Sequence, residues 1–226
     1  MAQAHVFFDL DGTLTDPAPG IVASFQHAMT ALDHEPWPVT RLRTWIGPPL
    51  VQAMKAIFET DDDELIRQAI RHYREHFALF GMFENRVYPG IESALDALSR
   101  SGVRLSVATS KPQLFADRIV DHFELRGYLP RVYGAKLSGE RADKSELLAL
   151  ALEREGLAGP TRTRAIMVGD RQHDIAGAKA HQMRAVGVLW GYGTLQELGH
   201  ARPDRLVIDV DDLADVLLEL LDEGSS

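Results

Sequence analysis

Short runs of β-branched, aromatic and small apolar residues, each stopped abruptly by polar ones, constrain this chain most. The first covers Val6, Phe7 and Phe8 and ends at Asp9. Similar runs lie at 103–108, 131–133, 165–168, 185–188 and 206–208. From residue 87 onward, apolar residues between these runs recur at helical spacing, as in Ile91, Leu95 and Leu98, then Leu147, Leu148, Ala151 and Leu152. A short apolar run bounded by turn residues suits a strand buried on both faces. Strands that alternate with helices build a parallel sheet. The predicted fold is therefore α/β, a doubly wound and mostly parallel sheet covered by helices on both faces.

One block breaks this alternation. Pro17 and Pro19 end the first unit, and Ile21, Val22, Phe25, Met29 and Leu32 then follow a helical period. Ile46-Gly47-Pro48-Pro49-Leu50 reads as a turn opening a helix through Phe58. Asp61, Asp62 and Asp63 supply capping acids for a helix that carries Leu65, Ile66, Ala69, Ile70, Tyr73 and Phe77 on one face. With no convincing strand in it, residues 17–83 read as an inserted helical domain. Residues 1–16 and 84–226 form the α/β core, closed by a short polar tail from Glu223 to Ser226.

Composition excludes several function classes. A formal charge of −9 gives no general attraction to nucleic acid or to an anionic membrane surface. No apolar run approaches membrane-spanning length, and no basic segment followed by a long apolar one opens the chain, so a cytoplasmic location is expected. The chain has no cysteine, which removes disulfides, thiolate metal sites and cysteine nucleophiles; any metal must sit on oxygen or imidazole. Nothing in the sequence decides between a monomer and a homodimer.

The polar residues at the strand ends fit one reaction. Asp9 and Asp11 follow the first strand, Thr109 and Ser110 the second, and Asp170 a later one, with Asp174 at the start of the helix behind it. Lys144 closes the polar loop that begins at Ser138. In a parallel sheet the carboxyl ends of the strands are where ligands bind. Each residue also has an ordinary structural reading: Lys144 as a surface lysine in a helix's first turn, Thr109-Ser110 as a cap before Pro112, Gly169-Asp170 with Asp174 as a turn plus a cap. Their joint occurrence at strand ends favours a single site. A carboxylate can attack phosphorus and split a hydrolysis into formation and breakdown of an aspartyl phosphate. Both partners are anionic, which calls for a divalent cation; magnesium prefers oxygen ligands such as Asp9 and Asp170. Lys144 would set fixed positive charge against the phosphoryl oxygens and Thr109 a hydroxyl donor. Asp11 would protonate the leaving alcohol and then activate water.

The order Asp9-Leu10-Asp11-Gly12-Thr13, then Thr109, then Lys144, then Gly169-Asp170 with Asp174 resembles the four motifs of the haloacid dehalogenase-like (HAD) hydrolase superfamily, across essentially the whole chain. That resemblance implies a Rossmann-like core and a magnesium-dependent enzyme. It puts the nucleophile on Asp9, the general acid/base on Asp11 and phosphate binding on Thr109 or Ser110 and Lys144. Metal binding falls on Asp9, the Asp11 backbone carbonyl and Asp170, with Asp174 either a direct ligand or acting through a bound water. The helical insertion looks like the mobile cap of the phosphoglycolate phosphatase-like branch.

Asp11 argues against carbon–halogen cleavage, where no alkoxide needs a proton, and against the phosphonate-cleaving relatives, which carry alanine there. The expected function is hydrolysis of small phosphorylated metabolites, phosphoglycolate and nucleoside monophosphates first among them. A sugar phosphomutase is the alternative, since mutases keep both aspartates; the loop from Ile46 to Leu50 looks less like theirs. A binding protein on a retired hydrolase scaffold is a further alternative, disfavoured by the intact set of polar residues. Arg41, Arg43 and Lys55 are candidates to reach a substrate anion, and Arg171 or His173 to line the mouth of the site. Trp190-Gly191-Tyr192-Gly193 reads as a loop near the site whose aromatics mainly pack.

Overall fold

The computed structural model describes residues 3–157, 159 and 164–223, so the last three residues of the polar tail lie outside the described residues. Strands β1 (His5–Phe8), β2 (Arg104–Pro112), β3 (Arg131–Ala135), β4 (Ala165–Gly169), β5 (Arg184–Val188) and β6 (Arg205–Val207) form one sheet in the order β3-β2-β1-β4-β5-β6. All its pairings are parallel. Helices α1 (Ala18–Ala31), α2 (Val39–Leu42), α3 (Leu50–Ile57) and α4 (Asp63–His76) fall between β1 and β2, followed by α5 (Ile91–Arg100). Helices α6 (Gln113–His122), α7 (Lys144–Arg154), α8 (Gln172–Ala180), α9 (Leu195–Ala201) and α10 (Leu213–Glu223) complete the chain. No helix among the described residues is long and apolar enough to cross a membrane.

The continuous apolar character of β1 is explained by its place at the centre of the sheet, paired with β2 on one side and β4 on the other. Successive side chains enter opposite cores, as the strand period of two requires. Val6 and Phe8 join Val107, Val168 and Val186 on one face, while Phe7 joins Ala108, Met167 and Ala185 on the other, under Leu147, Leu148 and Ile175. Burying a side chain such as Phe8 completely is worth roughly 1.5–3 kcal/mol.

Between β1 and β2 the described chain forms no strand. Helices α1 to α4 and a π-helical turn, Phe77–Gly81, follow one another there. Asp62 starts α4 by accepting from the Glu64 and Leu65 amides at 2.8 and 3.4 Å. Phe25, Met54, Ile66 and Phe77 from this block share one apolar cluster with the Val6 and Phe8 face of the sheet. The block leaves and rejoins the core through two segments lying side by side: Thr15 pairs with Val87, the Asp16 amide donates to the Arg86 carbonyl at 2.7 Å, and the Arg86 guanidinium meets Asp16 Oδ2 at 2.8 Å.

Two local expectations shift. Thr109 and Ser110 belong to β2 itself and cap no helix, because β2 continues through Pro112 with a register shift against β3. Helix α6 accordingly begins at Gln113, with Pro112 as the residue before it.

Candidate active site

The strand order reverses direction about β1 and β4, and the crevice outside the carboxyl ends of such a pair is the usual ligand site of an open parallel sheet. Asp9 directly follows β1 and Asp170 directly follows β4. Asp174 lies in the first turn of α8, where its Oδ2 accepts from the Arg171 amide at 3.1 Å. One carboxylate oxygen from each of Asp9, Asp170 and Asp174 comes within 4.8 Å of the others, and all three residues are buried.

Lys144 enters this cluster from α7. Asp143 caps that helix by accepting from the Ser145 and Glu146 amides at 2.9 and 3.1 Å, which makes Lys144 its first residue. Far from being a surface lysine, Lys144 is 4% exposed. Its Nζ lies 2.7 Å from Asp174 Oδ1 and 3.2 Å from Asp9 Oδ1, and it donates to the Ala108 carbonyl at 2.9 Å. Burial works to lower its pKa, but the charges of Asp174 and Asp9 outweigh it and hold the ammonium above its ordinary value.

Three carboxylates against one ammonium leave this cluster two negative charges in excess if all ionise. The consequence appears in the acids. Burial, reinforced by the charges of Asp174 and Asp9, pushes Asp170 up to about 8. Burial likewise pushes Asp174 up to about 6, against the pull of Lys144. A divalent cation among these oxygens would remove the excess, and the all-oxygen donor set suits magnesium. The trio thus fits the metal that the sequence implies.

Further groups fix Asp170. Thr13 Oγ1 donates to its Oδ1 at 3.3 Å and the Tyr192 amide to its Oδ2 at 2.7 Å. Gly12 sits at φ +84°, and a Cβ there would fall 2.3 Å from Asp170 Oδ2, so only glycine lets the turn after Asp11 pass this close. The Trp190 to Gly193 loop does more than pack aromatics. Besides the Tyr192 amide, the Trp190 indole donates to the Thr13 carbonyl at 3.0 Å and the Tyr192 hydroxyl to Asp16 at 2.5 Å.

Asp11 stands apart from the trio. Its Oδ2 accepts from Lys111 Nζ at 2.5 Å, while its Oδ1 is buried without a hydrogen-bond partner. Burial raises its pKa against the charge of Lys111. Lys111, itself buried, has no expected role in the sequence: the apolar run ends at residue 108, and the continuation of β2 through Pro112 brings Lys111 to the same cleft as Thr109. Thr109 is buried and Ser110 partly exposed, and both line the same cleft as Asp9 and Asp11.

That cleft encloses about 1340 Å³, far more than a phosphate needs, and its far wall comes from the helical block. Arg41, Arg43 and Lys55 are not part of the wall. Arg41 stacks on Trp37 and Lys55 pairs with Asp61 at 2.8 Å, while Arg43 lies over the Tyr192 ring. The wall carries Arg67, Arg71 and Arg74 of α4 instead, together with Tyr73 and Phe77. Which face of α4 meets the cleft depends on its packing against α1, which helical period alone does not give. His173 is exposed, whereas the Arg171 side chain is largely covered.

Residues 6–188 match the family model for haloacid dehalogenase-like hydrolases. A 5'-nucleotidase of Pseudomonas aeruginosa is 40% identical over 94% of this chain and 95% of its own. The tyrosine-protein kinase PtkA of Mycobacterium tuberculosis is 42% identical over 83% of this chain, which spans 62% of that protein. Among solved structures, a predicted phosphatase from Clostridium acetobutylicum superposes with a TM-score of 0.91 at 37% identity, covering 97% of this chain and all of its own.

Proposed function

The chain belongs to the haloacid dehalogenase-like hydrolases and is a phosphatase of that family; from that premise we propose that it hydrolyses small phosphate monoesters through a phosphorylated Asp9. The observation that carries this reading is the buried set of Asp9, Asp170, Asp174 and Lys144 at the strand ends, with Asp11 held separately by Lys111. Magnesium held by Asp9, Asp170 and Asp174, with the Asp11 carbonyl, would supply the charge that offsets repulsion between carboxylate and phosphate.

In the first step an Asp9 oxygen forms a bond to phosphorus as the ester P–O bond breaks, and Asp11 gives its proton to the departing alkoxide. In the second, Asp11 takes a proton from water as that water attacks phosphorus, and the bond to Asp9 breaks to release inorganic phosphate. Lys144 and Thr109, with Ser110 beside them, bind the phosphoryl oxygens, and burial of the site makes each of these contacts stronger than it would be in water. Residues 17–83 act as a cap that encloses the leaving group and excludes bulk water. Phosphoglycolate and nucleoside monophosphates are the first substrates to test, and the chain acts in the cytoplasm.

The test is phosphate release from a panel of monoesters, with magnesium or EDTA, for the native chain and Asp9→Asn. Turnover should need magnesium and fall at least about 1000-fold in Asp9→Asn. Turnover indifferent to Asp9 would overturn the mechanism. Labelled substrate should send its label to inorganic phosphate; label retained on a sugar bisphosphate would point to a mutase, and label on tyrosine to a kinase.

A further inference from the structure

Arg171 joins two parts of the molecule that the reaction must keep in register. Its backbone N–H holds Asp174. Its side chain reaches the helical block, where Nη1 donates to the Ile46 carbonyl. Nε donates to Glu197 Oε1 at 2.9 Å, and the same oxygen accepts from the Gln172 amide at 3.0 Å. Glu197 is in turn fixed in the first turn of α9, whose cap residue Thr194 accepts from the Glu197 amide at 3.1 Å. The Arg171 and Glu197 side chains are 12% and 17% exposed, so this pair is shielded from solvent and from salt far better than a surface ion pair.

The receiving segment is built for that approach. Gly47 sits at φ +107°, and a Cβ there would fall 3.0 Å from Arg171 Cγ and 3.1 Å from Nη1. Ile46, Gly47, Pro48, Pro49 and Leu50 all line the cleft that holds Asp9 and Asp11. The two prolines stiffen the segment, so fixing it at Ile46 sets the position of the whole stretch.

We propose that Arg171 is a positioning residue that latches the Ile46 to Leu50 segment over the cleft, so that discrimination between leaving groups depends on this side chain. Its guanidinium touches neither substrate nor the reacting atoms. It acts by placing the wall against which the leaving group rests. The consequence for catalysis rests on the phosphatase reading above; the latch itself does not.

Two measurements on the intact chain separate these layers. Hydrogen exchange of the peptide covering residues 43–54 should quicken by about threefold or more in Arg171→Ala, with α8 unchanged. Kinetics would compare acetyl phosphate, whose leaving group is small, with a nucleoside 5'-monophosphate, whose leaving group is large enough to rest on the cleft wall. Loss of one charge-assisted hydrogen bond should lower the nucleotide-to-acetyl-phosphate ratio of kcat/KM by about tenfold, mainly through KM. Arg171→Lys should recover part of the ratio, and Gly47→Ala should reproduce the loss. The double variant Arg171→Ala/Gly47→Ala should be no worse than the worse single one, because both break the same contact. Unchanged exchange at 43–54, or an equal fall in kcat on both substrates, would overturn the latch. A native chain that hydrolyses no ester would defeat the phosphatase reading, and the exchange measurement would still decide the latch.

Discussion

Removing the charge of Asp170 should stabilise the metal-free protein at alkaline pH, although it removes one of the three carboxylates proposed to hold magnesium. The folded state holds the Asp170 proton up to about 8, against an ordinary value of 3.8. Between those values the native protein binds a proton that the unfolded chain has released, so stability falls as pH rises through the window, by about 1.4 kcal/mol per pH unit. Over the whole window that amounts to about 5–6 kcal/mol. Asp170→Asn removes this dependence. It also costs one acceptor, since Asp170 receives Thr13 on one oxygen and the Tyr192 amide on the other, and a lost hydrogen bond is worth about 1 kcal/mol. The variant should therefore exceed the native chain by about 4 kcal/mol at pH 8 in EDTA and be slightly weaker at pH 4. The assay is urea unfolding from pH 4 to pH 8, with EDTA or saturating magnesium. Taking the difference between variant and native cancels the histidines, whose lowered pKa values oppose the trend. Magnesium should reverse the order, because only the native trio binds it and binding adds stability by mass action. A native chain as stable at pH 8 as at pH 5 in EDTA, with Asp170→Asn no better, would refute the electrostatic account of the site.

Asp11→Asn should impair alkyl phosphates at least about 100-fold more than an aryl phosphate, whose leaving group needs no proton; equal losses in steady-state kinetics would exclude proton transfer by Asp11. Lys144→Met should destabilise the protein by about 3–5 kcal/mol in EDTA, because Asp9 and Asp174 lose a buried partner, and magnesium should restore part of this in thermal unfolding. Gly12→Ala should weaken magnesium binding about tenfold or more by calorimetry, since the new methyl group meets Asp170 Oδ2; native affinity would show that the turn yields freely.

The sheet was legible because its central strands are buried on both faces. Such strands read as unbroken apolar runs, and the first polar residue after Phe8 or after Gly169 marks the strand's end and the site at once. Lys144 was legible as a lysine at a helix start, but its burial was not, since that depends on α7 and α8 packing together beneath the sheet. The sequence sets Lys111 beside Thr109 and Ser110 after an apolar run without giving it a role; the continuation of β2 is what turns it toward Asp11. The sequence offers Arg41, Arg43 and Lys55, on either side of the Ile46 to Leu50 turn, as cations for a substrate anion, whereas the cleft wall carries other arginines instead. They lie on α4 because interhelical packing, in which α1 and α4 share Phe25 and Tyr73 in a ring contact at 5.0 Å, decides which side of a helix looks inward. Sequence spacing gives faces of single elements; it does not orient one element against another.

The paired segments at Thr15 and Val87 make the whole helical block, from the standpoint of the sheet, one oversized hairpin loop. Closing a loop costs free energy that grows only with the logarithm of its length. The distance between the two stems is already fixed, by the bridge and by the Asp16 to Arg86 pair, so the stems would be indifferent to how many residues hang between them. Asp9, Asp11, Asp170, Asp174 and Lys144 all belong to the other side of those stems. The length of chain between the stems is therefore a free parameter, and a roof of different size could be grafted at Asp16 and Arg86, provided that its edge still meets the Arg171 side chain.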